Sequence, residues 1–298
     1  MNCSFMPDRI SLRYYIEHIL FRLALWLATN LPARIIDGLS AALWRFIAPR
    51  LRRHRRALKN LEAAMPELTP AERSALLDRM WDNLGRTSVE ALALHQIADD
   101  PNAASFNFSA DVLQIMNSEQ PAIFIGLHAG NWEVPAIAAE KFNKPLMGVY
   151  QKIINPLVDN DILELRQRFY KGGLYGKGRE TVSRIRRGIE AGFSLAIMSD
   201  LRDAHGQFVD FFGLKARSTV FPALLARLHN IPIIAIRAVR LKNRRFRVDA
   251  LRIELASYIE REETICENTK RIQKQLEAWI REDPALWMWG HNRWDISK

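Results

Sequence analysis

The chain has 298 residues, with 43 Lys and Arg against 33 Asp and Glu, a formal net charge of +10, and two cysteines. That length supports one substantial α/β core with an appendage rather than two full domains, and the charge predicts anionic company: phospholipid head groups, an acidic carrier protein or nucleic acid. Cys3 and Cys266 lie far apart without a CxxC spacing or a neighbouring histidine cluster, which argues against a disulfide framework and against a metal site and suits a reducing compartment.

Residues 14–49 hold most of the apolar surface of the amino-terminal part. The run 19–31 is interrupted by Arg22, and 35–47 carries Asp37 and Arg45. Neither reaches the roughly 20 clean apolar residues of a spanning helix. A pair of amphipathic, interfacial helices fits the pattern, as does one marginal span with snorkelling arginines; helices simply packed on the globular core are the plain alternative. No small-residue cleavage pattern follows, which argues against a signal peptide. The densest positive cluster comes next, RLRRHRRALK at 50–59 with Arg52, Arg53, Arg55 and Arg56. Behind an apolar segment it reads as a cytoplasmic flank on anionic lipid, worth about 1 kcal/mol per basic residue. No reading helix or stacking sheet accompanies it, so nucleic acid is not expected; a solvated helix face is the other reading. The chain thus divides into an N-terminal membrane-associated unit, 1–59, and a main domain, 60–298.

Residues 60–98 are helical with a break at 65–70, where Thr69-Pro70-Ala71-Glu72 supplies an N-cap, a proline at the first helical position and an early acid. The stretch 121–135, PAIFIGLHAGNWEVP, organises the main domain. Residues 122–127 read as a strand covered on both faces, Gly126 and Gly130 turn the chain around His128, and Asn131 caps an expected helix bearing Glu133, Ile137 and Glu140. A histidine at the carboxyl end of a parallel strand sits where α/β proteins place their chemistry, and Glu133 is placed to bond the imidazole. The spacing alone says little, since an acid five residues after a histidine occurs three times here, at His95, His128 and His205; only His128 has a strand before it and glycines around it.

Further strands are predicted at 146–150, 193–199, 231–241 and 246–255, the last an antiparallel edge, with a helix over 155–170. The basic, glycine-rich segment 171–179 reads as a phosphate-contacting or mobile loop without the GxxxxGK[ST] arrangement, and 201–219 as a loop over the same sheet edge. Asp200 falls at a strand terminus much as His128 does. An amphipathic helix at 264–282 precedes three tryptophans that bracket His291 and Arg293, read as packing first and an interfacial belt second. Alternating strands and helices from 121 onward predict a mostly parallel central sheet flanked by helices.

Together HAGNWE at 128–133, the Tyr150 segment with Asn155-Pro156, Arg166, Asp200, the FFG turn at 211–213, the terminal PALWMWGHNRW and the upstream RRALKNLEAAMPELTPAER resemble the late acyltransferases of lipid A biosynthesis, in that family's motif order from about 15 to 294. The resemblance implies a glycerolipid-acyltransferase-like fold and an enzyme of the inner membrane facing the cytoplasm. It implies transfer of a fatty acyl group from acyl carrier protein, or in some relatives from coenzyme A, onto a hydroxyl of a lipid A precursor. No cofactor beyond the thioester co-substrate is implied. His128 and Glu133 match the family's catalytic dyad; Arg166 is the candidate for the oxyanion or a substrate phosphate; Asn131, Tyr150 and Asp200 are further candidate substrate contacts. The family often carries a D-x-D or DQ pair near Asp200, whereas here Leu201, Arg202 and Asp203 follow it.

The chemistry agrees: an acceptor hydroxyl needs a base, which imidazole supplies, and a carboxylate fixes the tautomer of that imidazole and stabilises its charged form. There is no GxSxG elbow, so direct attack on the thioester without an acyl-enzyme is expected. The alternatives are the same transfer to another membrane glycolipid or a lysophospholipid, and a non-enzymatic basic membrane-binding protein.

Overall fold

The computed structural model describes residues 11–257 and 260–296; Cys3 and the first ten residues of the expected 1–59 unit lie outside them. The apolar amino-terminal stretch forms α1 (Leu12–Asn30) and α2 (Ala33–Ile47), broken by Leu31-Pro32, and the basic cluster opens α3 (Arg52–Ala64). Among the described residues no helix is long and apolar enough to cross a membrane. Thr69 caps α4 (Pro70–Leu92) through a full capping box with Glu72. α2 runs close along α4 because Gly85 has no side chain there: a Cβ would stand 2.6 Å from the Ala41 Cα. The Ser40 hydroxyl donates to the Gly85 carbonyl at 2.7 Å.

The chain continues through α5 (Leu94–Asp99), β1 (Ala104–Phe108), α6 (Ala110–Asn117), β2 (Ile123–Gly126), α7 (Ala136–Lys141), β3 (Leu146–Tyr150), α8 (Pro156–Gln167) and β4 (Gly173–Gly176). It then forms α9 (Arg179–Glu190), β5 (Ser194–Met198), β6 (Arg202–Phe211), β7 (Leu214–Ser218), α10 (Phe221–His229), β8 (Ile233–Arg240), β9 (Phe246–Ile253) and α11 (Arg261–Glu282). Among the described residues the main sheet has seven strands in the order β1-β9-β8-β2-β5-β3-β4, parallel at every pairing except β8 with β9. The mostly parallel α/β sheet expected from the sequence is therefore present.

Three local expectations differ. β9 is antiparallel as expected, but it is no edge, because β1 pairs along its other side. β4 runs through the glycine-rich segment 171–179, and the expected loop 201–219 is the β6–β7 hairpin, turned at Phe212 and Gly213 with φ of 57° and 70°. Side chains of β2 alternate between two cores: Ile123 and Ile125 join Leu61, Leu77 and Trp81 on one face, and Phe124 joins Val134, Ile137 and Ile236 on the other. α3 contributes Ala57, Leu61 and Ala64 to the first of these cores, so the basic helix is anchored in the body of the fold.

Candidate active site

β2 and β5 are parallel neighbours with Ile123 opposite Leu195 and Gly126 opposite Met198, a constant offset of 72. Carried two residues past both strand ends, the same offset sets His128 against Asp200. The Asp200 carboxylate accepts from the His128 ring Nδ1 at 2.9 Å, from the His128 backbone N–H at 2.8 Å and from the Trp287 indole Nε1–H at 2.8 Å. Asp200 is fully buried. Burial would raise its carboxyl, but the His128 charge and these hydrogen bonds reverse that and hold it well below the usual carboxylate range. Burial likewise works against the His128 imidazolium, yet the Asp200 charge and hydrogen bond, and then the Glu133 charge, outweigh it and leave the ring above its ordinary value, with Lys177 opposing. Asp200 thus fixes Nδ1 as the protonated nitrogen of the neutral ring and leaves Nε2 as its acceptor nitrogen.

The hydrogen bond expected from Glu133 to His128 is made by Asp200 instead. Glu133 lies in a turn before α7, which starts at Ala136 rather than at Asn131. Its carboxylate is held from two sides by the Arg166 guanidinium, Nε donating at 3.0 Å and Nη2 pairing with the second oxygen. Asn131 does not face substrate: it is fully buried, its carbonyl accepts from the Glu133 backbone N–H at 3.1 Å, and its amide donates to Glu90 at 3.2 Å. Glu90 in turn pairs with Arg240 at 2.7 Å, and Thr87 donates to the Gly130 carbonyl at 2.9 Å. This network pins the turn that carries His128. The Tyr150 hydroxyl donates to buried Asp159 of α8 at 3.1 Å, which braces α8 rather than reaching His128.

A small apolar cleft adjoins the turn that carries His128, with its neighbours Leu127 and Ala129 in the lining. Trp132 forms one wall, its ring centroid 5.3 Å from that of His128, and Gly126, Met198, Tyr170 and Ile236 line the interior down to Met116 and Leu146. Among the described residues no group of His, Cys, Asp and Glu has the makings of a metal site.

A family model for bacterial lipid A biosynthesis acyltransferases matches residues 2–295. The chain belongs to this family. Over 191 residues it is 26% identical to the lipid A biosynthesis myristoyltransferase of Escherichia coli (strain K12) and to lipid A biosynthesis acyltransferase 1 of Shigella flexneri. The aligned part covers 61% of this chain and 57% of each relative, so the chain spans little more than half the length of these relatives.

In this member of the lipid A acyltransferase family the site also uses residues that sequence reasoning assigned to packing. A carboxy-terminal strap lies across the β2 loop: the Gly130 N–H donates to the Leu286 carbonyl at 3.1 Å, and the Met288 N–H donates to the His128 carbonyl at 3.1 Å. Trp287 thereby reaches Asp200. His291 stands with its ring centroid 5.3 Å from that of His128; burial, then the His128 charge, lower its imidazolium to about 4, and Arg53 and Arg56 add to this. Arg293 is fully buried and bonds the Arg217 carbonyl, the Ser218 hydroxyl and the Gln273 amide oxygen at 2.7, 2.6 and 2.9 Å. Gln273 donates to the Ser199 carbonyl at 2.8 Å, next to Asp200. The density of tryptophans around His291 and Arg293 was the available signal; without the pairing of this strap to the 128–130 loop it spoke only of packing.

Proposed function

We propose that the protein transfers a fatty acyl chain from an acyl thioester to a hydroxyl of a lipid A precursor. The observation that carries this is the His128–Asp200 pair at the ends of β2 and β5, beside an apolar cleft suited to an acyl chain. His128 Nε2 takes the acceptor's proton as its oxygen attacks the thioester carbonyl, for a typical 10²- to 10⁴-fold acceleration. Asp200 holds the ring and stabilises the imidazolium. When the tetrahedral intermediate collapses, the C–S bond breaks and the imidazolium returns the proton to the leaving thiolate. Glu133, tied to Arg166, adds negative charge that favours the same imidazolium. Attack is direct, because no serine or cysteine stands at the turn that carries His128.

Acyl carrier protein is the donor this reading favours, since an acidic carrier suits a chain of net charge +10; a coenzyme A thioester is the other anionic donor of the same chemistry. The acceptor is reached from a membrane surface, at the cytoplasmic face of the inner membrane. Supporting this, Leu12, Ile16, Ile19 and Leu23 are exposed along α1, and Ile35, Leu39, Leu43 and Phe46 along α2, a continuous apolar exposure of the kind that marks an interfacial rather than a spanning helix pair. Arg52, Arg53, Arg55 and Arg56 form a cationic margin to that surface.

The test uses purified protein in detergent, acyl carrier protein and coenzyme A thioesters of several lengths, and a tetra-acylated lipid A precursor, with products resolved by mass spectrometry. One added acyl chain, absent with His128→Ala, is the expected outcome. Transfer only to a different lipid retains the chemistry and discards the acceptor; transfer to nothing overturns the reading.

A further inference from the structure

Arg166 is the arginine whose position in sequence suggested a substrate phosphate, and the structure gives it to Glu133. Among the described residues Lys177 acts on His128 without a carboxylate partner, and the arginines that act on the adjoining His291 without one lie on α3. None of Arg52, Arg53, Arg55 and Arg56 takes part in an ion pair among the described residues, although α3 is fixed firmly. Asn60 donates to the Trp289 and His291 carbonyls, both at 2.7 Å, and so seats the helix on the turn that carries His291. Arg53 and Arg56 precede Asn60 by seven and four positions, which puts them on the same helix face. Arg56 Nη1 donates to the Gly290 carbonyl at 3.4 Å, and the Arg53 backbone oxygen is 3.3 Å from where a Gly290 Cβ would stand. Both arginines act on His291, whose ring neighbours His128.

Guanidinium groups match phosphate oxygens in a planar, two-point geometry. α3 follows at once on the exposed Phe46, Ile47 and Leu51, so the two arginines stand between the lipid-facing surface and the base. We propose that Arg53 and Arg56 bind a phosphate group of the lipid acceptor and hold its hydroxyl over His128. This assignment rests on the function proposed above and names the group by which the acceptor is held. The thioester donor also carries phosphate, but its acyl chain belongs in the cleft on the Trp132 side.

Separate KM values for acceptor and donor test the site in detergent, with the Arg53→Gln/Arg56→Gln double variant set against Arg186→Gln/Arg187→Gln. The second pair lies exposed on α9 and removes the same charge elsewhere. The expected result is a rise in acceptor KM of roughly tenfold or more for the α3 pair, an unchanged donor KM, and an unchanged thermal midpoint. With a dephosphorylated acceptor the wild type already shows the raised KM and the α3 pair adds nothing. An equal rise for the α9 pair, a rise confined to the donor, or full sensitivity to the α3 pair with the phosphate-free acceptor overturns the site. Direct binding of the phosphorylated and dephosphorylated tetra-acylated precursor in the same detergent repeats the comparison without turnover. A wild type that transfers nothing but binds the phosphorylated form through Arg53 and Arg56 therefore counts against the reaction and for the site; equal binding of both forms counts against the site.

Discussion

The two carboxylates around His128 are held in opposite ways. Asp200 is sealed at the end of β5 and, among the described residues, accepts only from His128 and Trp287, with no arginine or lysine bonded to it. Glu133 lies in the turn before α7 with Arg166 bound across both of its oxygens. The first carboxylate is committed to the imidazole, so its charge is available to the proton that arrives there; the second is largely answered by its own cation and acts on His128 from a distance. A spacing of five residues points to Glu133, and the sheet register selects Asp200.

That contrast is broken or sharpened by substitution. His128→Ala should lose 10²- to 10⁴-fold in kcat, with the fold retained because the ring is not part of either core. Asp200→Asn should cost on the order of 10²-fold while the strap and sheet persist, as judged by circular dichroism; near-normal turnover would return the tautomer role to Glu133. Glu133→Gln should lose less rate than Asp200→Asn but more stability, about 3 kcal/mol by chemical denaturation, because it strands the Arg166 charge.

The pH profile separates the two carboxylates again. His128, faced by Asp200, Glu133, Lys177 and His291, can serve as the proposed base only when neutral. Its upward displacement places the acid limb of kcat/KM above the ordinary imidazole value near 6.5. In Asp200→Asn the chief influence that raises it is gone and burial dominates, so the limb moves to lower pH; a limb that stays in place would show that Asp200 does not act on the base. A smaller effect is expected at the cleft: Ala196→Leu, inside it, should shift the donor preference to shorter acyl chains, read from product mass, for about 1–3 kcal/mol of overpacking. The smallest concerns the surface: neutralising Arg52 and Arg55 should weaken binding to anionic vesicles by about 1 kcal/mol each at low salt.

Much of this arrangement was legible. Short apolar runs marked β2, β3 and β5, longer runs with β-branched residues marked β8 and β9, and the Thr69 cap was read from four residues. β1, with its sequence ASFNF, alternates weakly at an edge, and β4 hides in glycines. The hairpin β6–β7 is exposed and polar over the first part of β6, and only Val209, Phe211 and Ala216 near its turn are buried apolar positions, too few to mark two strands in the sequence. Asn131 failed as a helix cap because its side chain closes a turn onto Glu133 and Glu90, and Pro135 delays the helix. Asp200 was recognisable as a strand-end acid, but strand order is a non-local property, so its opposition to His128 was not. Arg166 was placed in the site by its match to a family arginine, and the carboxylate that pairs with it, Glu133, could not be read from the sequence.

The strap has a consequence in time. Trp287 meets Asp200 across 87 positions, and its neighbours clasp the His128 loop from residues some 160 positions later. Contacts so distant in sequence form late. During synthesis the sheet and its histidine are complete before the indole that seals the aspartate has emerged, so the nascent chain carries a base whose partner is still wet. The seal on Asp200 then arrives together with the part of the first core that Trp287, Trp289 and Trp294 complete.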